Sequence, residues 1–225
     1  MKGVIIKLNR ILDQDFGRQK RSWMLFSLME FCRDISHLDF DKYIFGRSHK
    51  SVMEFIAGKP LSGRQIQEYT KEREELYRIL CREEKAHNLL ACGAEAFLNE
   101  LKERKIPRLL VIESNQPEWN LYIEQFKLYG WFSWDNTIFT DVIAPGVPDY
   151  KFYSRAINTI NLPGKNCLAF EDTVPGIGAA KRAGIGQVVV IAPCNQQSVF
   201  ERMKEVDDVI GNLHQFNRVL LNEIS

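Results

Sequence analysis

Short apolar runs alternate along this chain with longer stretches of helical periodicity. The runs are four to six residues long and rich in Val, Ile and Leu. They are Gly3 to Leu8, Leu109 to Glu113, Cys167 to Phe170 and Val188 to Ala192. Runs of this length and composition are typical of parallel strands that are buried on both faces. We therefore predict four strands of one parallel sheet.

Helix signals follow these strands. Pro117 comes shortly after the second run, and apolar residues keep helical spacing from there to Gly130. Pro175 begins a similar stretch after the third run, and that stretch ends at Gly184. Proline is favoured in the first turn of a helix and glycine just beyond its end. Strands that alternate with helices predict an α/β fold with a Rossmann-like parallel sheet, covered on both faces.

The stretch from about Phe16 to Cys92 differs, because it contains no convincing strand. Ser62 is a suitable N-cap for a long helix with an apolar stripe. The stripe consists of Ile66, Tyr69, Leu76, Tyr77, Leu80 and Cys81. A second helix is indicated by Trp23, Phe26, Leu28 and Phe31. We predict an α/β core domain built from residues 1–13 and 94–225, and a helical cap domain of residues 14–93. The cap would lie over the carboxyl ends of the strands, where open α/β sheets bind ligands.

Composition and charge narrow the functional classes. The chain has 225 residues, of which 45% are apolar and 26% charged, and its formal net charge is +1. This balance gives no bulk attraction to nucleic acid or to anionic membranes. Val4-Ile5-Ile6 is too short for the apolar region of a signal peptide. The five cysteines show no C-x-x-C spacing, as expected of reduced thiols. We expect a cytoplasmic protein that binds neither nucleic acid nor membranes.

Residues 167–184 carry a resemblance to a known family. They read CLAFEDTVPGIGAAKRAG. This segment resembles the strand, acidic pair, Gly-Ile turn and Ala-Ala-Lys helix of the haloacid dehalogenase superfamily. Within that superfamily it is similar to the β-phosphoglucomutase-like phosphatases and mutases with a helical cap. The resemblance runs essentially end to end, and the first strand and its loop align without gaps. The tetrapeptide Gly46-Arg47-Ser48-His49 resembles the cap loop that contributes to substrate specificity.

The resemblance implies a specific chemistry. In this family an aspartate at the end of the first strand attacks phosphorus and forms an aspartyl-phosphate. A second aspartate, two residues later, is the general acid and base. A magnesium ion lies between the nucleophile and acidic groups after the fourth strand, and a lysine and a Ser or Thr hold the phosphoryl oxygens.

The sequence departs from that pattern at the catalytic positions. Lys7 stands at the position of the nucleophile and Asn9 at that of the acid and base. Arg10 replaces the small glycine of the loop, and Pro145 replaces the phosphate-binding lysine. We therefore expect phosphoryl transfer to be lost and magnesium binding to be weak or absent.

Other motif positions are retained. Ser114, with Asn115 beside it, matches the phosphate-binding motif, and Glu171 and Asp172 match the acids on the metal side. Lys7 then has two interpretations. Its ammonium group could pair with Glu171 or Asp172 and replace the charge of the metal, since a buried acidic pair needs a counter-charge. Alternatively, Lys7 and Ser114 could hold a phosphate group without turning it over.

A D-x-D pair lies just downstream, at Asp13 and Asp15. A shift of the chain by six residues would let these two act as nucleophile and acid, but the gap-free alignment places Asp13 past the end of the strand. Otherwise they are hinge residues at the entrance to the cap. The leading hypothesis is a family member that has lost activity and binds a phosphorylated small molecule or a protein partner. The alternatives are a weak or unusual phosphohydrolase acting on a small phosphorylated metabolite, and a non-catalytic interaction module.

Overall fold

A six-stranded parallel sheet forms the centre of the fold. The structure, a computed structural model, describes residues 2–13, 16–44, 47, 49–83, 90–112, 119–139 and 150–222. The strands in these residues are β1 (Gly3–Lys7), β2 (Arg108–Ile112), β3 (Thr137–Phe139), β4 (Cys167–Glu171), β5 (Gln187–Ile191) and β6 (Asp208–Ile210). Their order is β3-β2-β1-β4-β5-β6, and every neighbouring pair is parallel. The four predicted strands are confirmed to within one residue, and so is the Rossmann-like fold.

Helices cover both faces of this sheet. Strand residues alternate between two apolar cores, so that Ile6 belongs to one core and Ile5 to the other. The first core is closed by α5 (Ala94–Glu103), by α6 (Trp119–Gln125) and by the C-terminal residues around Phe216. The second is closed by α7 (Tyr150–Ile160), α8 (Val174–Arg182) and α9 (Cys194–Phe200). Both faces are therefore buried, which explains why the central strands read as continuous apolar runs.

Contacts between Cα atoms divide the described residues into two compact units. One contains residues 2–13, 90–112, 119–139 and 150–222, and the other contains residues 16–44, 47 and 49–83. Residues 90–93, which the sequence assigns to the cap, lie in the first unit. The Ala91 N–H donates to the Leu12 carbonyl oxygen at 2.7 Å, which ties this segment to the loop after β1.

The second unit is helical. Its α-helices in the described residues are α1 (Phe16–Phe31), α2 (His37–Asp39), α3 (His49–Ala57) and α4 (Gly63–Glu83). Ser62 caps α4 as expected, since its Oγ accepts from the Gln65 N–H at 3.3 Å and its own N–H donates to Gln65 Oε1 at 3.0 Å. Trp23 and Phe26 are buried in the core of this unit, whereas Leu28 is exposed although it falls on the predicted helix. None of the helices in the described ranges combines the length and apolar character needed to cross a membrane.

Candidate functional site

Two neighbouring strands bring Lys7 and Glu171 together. Ile5 of β1 pairs with Ala169 of β4, and the two site residues lie two positions further along their strands. Side chains alternate along a strand, so Lys7 and Glu171 lie on the same face as Ile5 and Ala169. Both residues end their strands. The site therefore lies at the carboxyl edge of the parallel sheet, where open α/β sheets bind ligands.

Lys7 makes the ion pair of the first of its two interpretations, and it does so with both acids. Its Nζ lies 2.8 Å from Oε1 and 2.8 Å from Oε2 of Glu171, and 3.6 Å from Oδ1 of Asp172. The Lys7 side chain is only 7% exposed, and that of Glu171 is completely buried. Burial of a carboxylate at this depth costs free energy unless a counter-charge and hydrogen bonds accompany it. The ammonium group supplies the charge.

Further hydrogen bonds complete the surroundings of Glu171. The Tyr153 hydroxyl, from the first turn of α7, donates to Oε1. The Asp172 N–H donates to Oε2 at 3.2 Å, and the Thr173 hydroxyl lies 3.4 Å from the same oxygen. Both carboxylate oxygens of Glu171 are thus engaged by protein groups. A buried polar group that is satisfied in this way holds its neighbours in one arrangement.

Arg10 forms an ion pair with the second acid, Asp172. Its Nε donates to Oδ2 of Asp172, and its Nη2 lies 3.4 Å from Oδ1. The Asp172 side chain is 10% exposed and that of Arg10 is 29% exposed. Burial acts to raise the pKa of Asp172, but the charges of Arg10 and Lys7 outweigh it and hold this pKa below its usual value. Asp172 is therefore ionised at neutral pH.

The turn after β1 sets the position of Arg10. Arg10 has φ 65° and ψ −8°, in the left-handed region that favours glycine. Its N–H donates to Oδ1 of Asp13 at 2.6 Å, and the Asp13 N–H donates to the Leu8 carbonyl oxygen at 3.0 Å. Asp13 thus closes the turn, while the strand register places Lys7 at the end of β1. Asp15 lies outside the described residues.

The other predicted site residues are distributed over the chain. Asn9 lies in the turn two residues after Lys7 and is half-buried. In the helical unit Arg47 is exposed, and His49 begins α3 with its ring edge-on to Trp23, at a centroid distance of 5.7 Å. The remaining predicted positions lie outside the described residues: Gly46, Ser48, Ser114, Asn115 and Pro145.

Two members of the cluster were not predicted to belong to it. The sequence identifies Arg10 only as the replacement of a glycine. Tyr153 was missed altogether. It lies in the first turn of α7, where its hydroxyl reaches Glu171 at the end of β4.

Comparison with known proteins places the chain in a family. A family model of haloacid dehalogenase-like hydrolases matches residues 12–184. This match covers more than half of the chain, and the chain therefore belongs to the haloacid dehalogenase-like hydrolase family. The matched region begins at Leu12, after the positions of Lys7, Asn9 and Arg10.

Individual relatives agree with this assignment. The YhcW protein of Bacillus subtilis, provisionally named a phosphatase, is 32% identical over 124 residues, which are 55% of this chain and 54% of that protein. The chain thus spans about half the length of the curated relatives that it matches. A family IA, variant 3 hydrolase of Entamoeba histolytica is 25% identical, with 98% of this chain and 97% of that chain covered and a TM-score of 0.85. The β-phosphoglucomutase of Clostridium difficile shares the fold at 17% identity, with coverages of 96% and 93% and a TM-score of 0.72.

Members of this family generally use magnesium, but the described residues of this chain do not fit that ion. Mg²⁺ requires a near-octahedral set of oxygen ligands at about 2.0–2.1 Å. Here the Lys7 ammonium contacts both oxygens of Glu171, and the Arg10 guanidinium contacts Asp172. No group of three or more His, Cys, Asp or Glu side chains that could hold a metal ion occurs in the described part of the chain. Two protein cations therefore engage the acids that a metal would need.

Proposed function

We propose that this protein has lost magnesium-dependent phosphoryl transfer and binds a phosphorylated small molecule without hydrolysing it. The observation that carries the proposal is the buried ion pair of Lys7 with Glu171. By the sequence resemblance, Lys7 stands at the position of the family's nucleophile, and its ammonium group has no lone pair with which to attack phosphorus. Asn9 stands at the position of the acid and base, and an amide does not titrate near neutral pH.

Binding is the activity that the remaining features support. The family fold is intact, and a relative carries a phosphatase name, so a phosphate ester is the natural class of ligand. Ser114 and Asn115 still match the phosphate-binding motif in sequence. Loss of a catalytic nucleophile alone can lower the rate on the order of a millionfold. Loss of the nucleophile therefore removes turnover but leaves the binding of a phosphate ester possible.

A cytoplasmic location belongs to the same proposal. All five cysteines are free of disulfide bonds, and three of them are exposed. Exposed thiols that remain reduced fit a reducing compartment. With a net charge of +1, a small anionic metabolite suits the chain better than nucleic acid or a membrane surface.

The test combines binding with turnover. Calorimetry would compare a panel of sugar phosphates and nucleotides with the corresponding sugars and nucleosides, and ³¹P NMR would follow each ester in the presence of magnesium. We expect at least one ester to bind, its unphosphorylated counterpart not to bind, and every ester to remain intact. If no ester binds, the ligand is wrong and an interaction module is the better account.

Release of inorganic phosphate by the wild-type protein would contradict the proposal. Asp13→Asn then identifies the source. If this variant abolishes turnover, Asp13 is the nucleophile and the protein is an unusual phosphohydrolase. If turnover persists in Asp13→Asn, another group attacks phosphorus. In either case, the proposal that the protein has lost phosphoryl transfer is wrong.

A further inference from the structure

The two cations at the carboxyl edge of the sheet differ in the acid that each contacts most closely. Lys7 engages both oxygens of Glu171 at 2.8 Å and is 3.6 Å from Asp172. Arg10 makes an ion pair with Asp172. The two formal positive charges balance the two negative charges, so these four side chains form a neutral cluster. Each acid therefore has its own protein counter-ion.

We infer that Arg10 excludes a divalent cation from this site independently of Lys7, so that metal binding returns only when both residues are changed. This inference rests on the proposed function, in which the protein works without a metal. If Lys7 alone became an acid, Asp172 would still carry the guanidinium of Arg10. A guanidinium group does not lose its proton in proteins, so a metal ion would have to displace a permanent cation or lie beside it.

The backbone at Arg10 supports a specific role for its side chain. A non-glycine residue in the left-handed region is strained, and such strain persists only where the surrounding structure enforces it. Asp13 enforces it here by accepting the Arg10 N–H, and Asp172 anchors the other end of the residue. Glycine adopts the same conformation without strain. Arg10→Gly therefore removes the guanidinium group and leaves the turn with its preferred residue.

The chain offers a matched control for this substitution. Lys105 is also a cation with a left-handed backbone, at φ 52°, and its side chain is exposed. It lies just before β2 begins at Arg108, and thus at the opposite edge of the parallel sheet from Lys7. Lys105→Gly likewise removes one positive charge and puts glycine at a left-handed position, but away from Glu171 and Asp172.

The experiment is a calorimetric titration with Mg²⁺ of the wild type, Lys7→Asp, Arg10→Gly, Lys7→Asp/Arg10→Gly and Lys7→Asp/Lys105→Gly. Circular dichroism would establish that each variant is folded. We expect Lys7→Asp/Arg10→Gly to bind Mg²⁺ on the order of tenfold or more tightly than each of the other four proteins. If Lys7→Asp does not fold, Lys7→Asn repeats the comparison with an oxygen ligand and no third negative charge.

The other outcomes separate the two proposals. Equal Mg²⁺ affinity of Lys7→Asp and Lys7→Asp/Arg10→Gly would overturn the role of Arg10 and leave the proposed function in place. The role of Arg10 is likewise overturned if the double variant is folded and does not bind, or if Lys105→Gly restores binding as well as Arg10→Gly does. Tight binding by the wild type would overturn both proposals.

Discussion

Replacement of Lys7 by methionine is expected to destabilise the protein by about 3–5 kcal/mol, because it leaves a buried carboxylate without its counter-ion. Methionine keeps most of the volume of the lysine side chain, so the loss of packing is small. Glu171, which is completely buried, would then lose the ammonium group that balances its charge. A buried charge without a counter-charge costs free energy. Urea denaturation at neutral pH measures the effect.

Lys181→Met is the matched control for this change. Lys181 Nζ lies 2.8 Å from Oδ2 of Asp207, the same distance as in the Lys7 pair, but both side chains are partly exposed. Exposed ion pairs contribute about 0–1 kcal/mol, so the control should lose little stability. If Lys7→Met lowers the free energy of unfolding no more than Lys181→Met does, burial does not make the Lys7 ion pair more stabilising than an exposed one. The account of the site would then be wrong.

Gly176→Ala is the second substitution with a large expected effect. Gly176 lies in α8 directly against Glu171, and a Cβ atom there would be 2.2 Å from Oε2 and 2.4 Å from Cδ of that residue. Such distances are well inside van der Waals contact, so the carboxylate must move. Movement would weaken its contacts with Lys7 and Tyr153. We expect a loss of about 3 kcal/mol or more in the free energy of unfolding, from overpacking combined with the disturbed ion pair.

The same helix contains the control. A Cβ atom at Gly178 would meet no heavy atom within 4 Å beyond its chain neighbours and the backbone of its own helix. Alanine is the better helix former, so Gly178→Ala should stabilise the protein by about 0.5–1 kcal/mol. Opposite signs for the two substitutions are the expected result. A neutral Gly176→Ala would mean that the Glu171 carboxylate does not lie where the ion pair requires it.

Local sequence signals predicted most of the sheet. β1, β2, β4 and β5 are central or buried strands, and their continuous apolar runs are strong signals. The outer strands β3 and β6 were not predicted, because each has only three residues and is incompletely buried. α4 was predicted because Ser62 supplies a cap and the apolar stripe keeps its period over many turns.

The candidate site was predictable only in part. Lys7, Glu171 and Asp172 could be placed because they stand at motif positions of the family that the sequence resembles, and these positions fall at or near the ends of predicted parallel strands, which meet at one edge of the sheet. The pairing of Arg10 with Asp172 was not predictable from spacing, because it depends on a left-handed turn where the sequence offers no glycine. Tyr153 depends on the packing of α7 against the sheet. Such contacts between distant segments leave no local pattern.

The central claim is that Lys7 and Arg10 take the place of the metal. The most direct test is whether magnesium changes the stability of the wild-type protein. The free energy of unfolding would be measured with a chelator and again with excess Mg²⁺, using calcium-free buffers of constant ionic strength. A ligand that binds only the folded state stabilises it by about 2.7 kcal/mol at a free concentration about a hundredfold above Kd. We predict no difference between the two conditions. A magnesium-dependent increase of this size would contradict the claim, because the acids at Glu171 and Asp172 would then hold a metal in spite of the two cations.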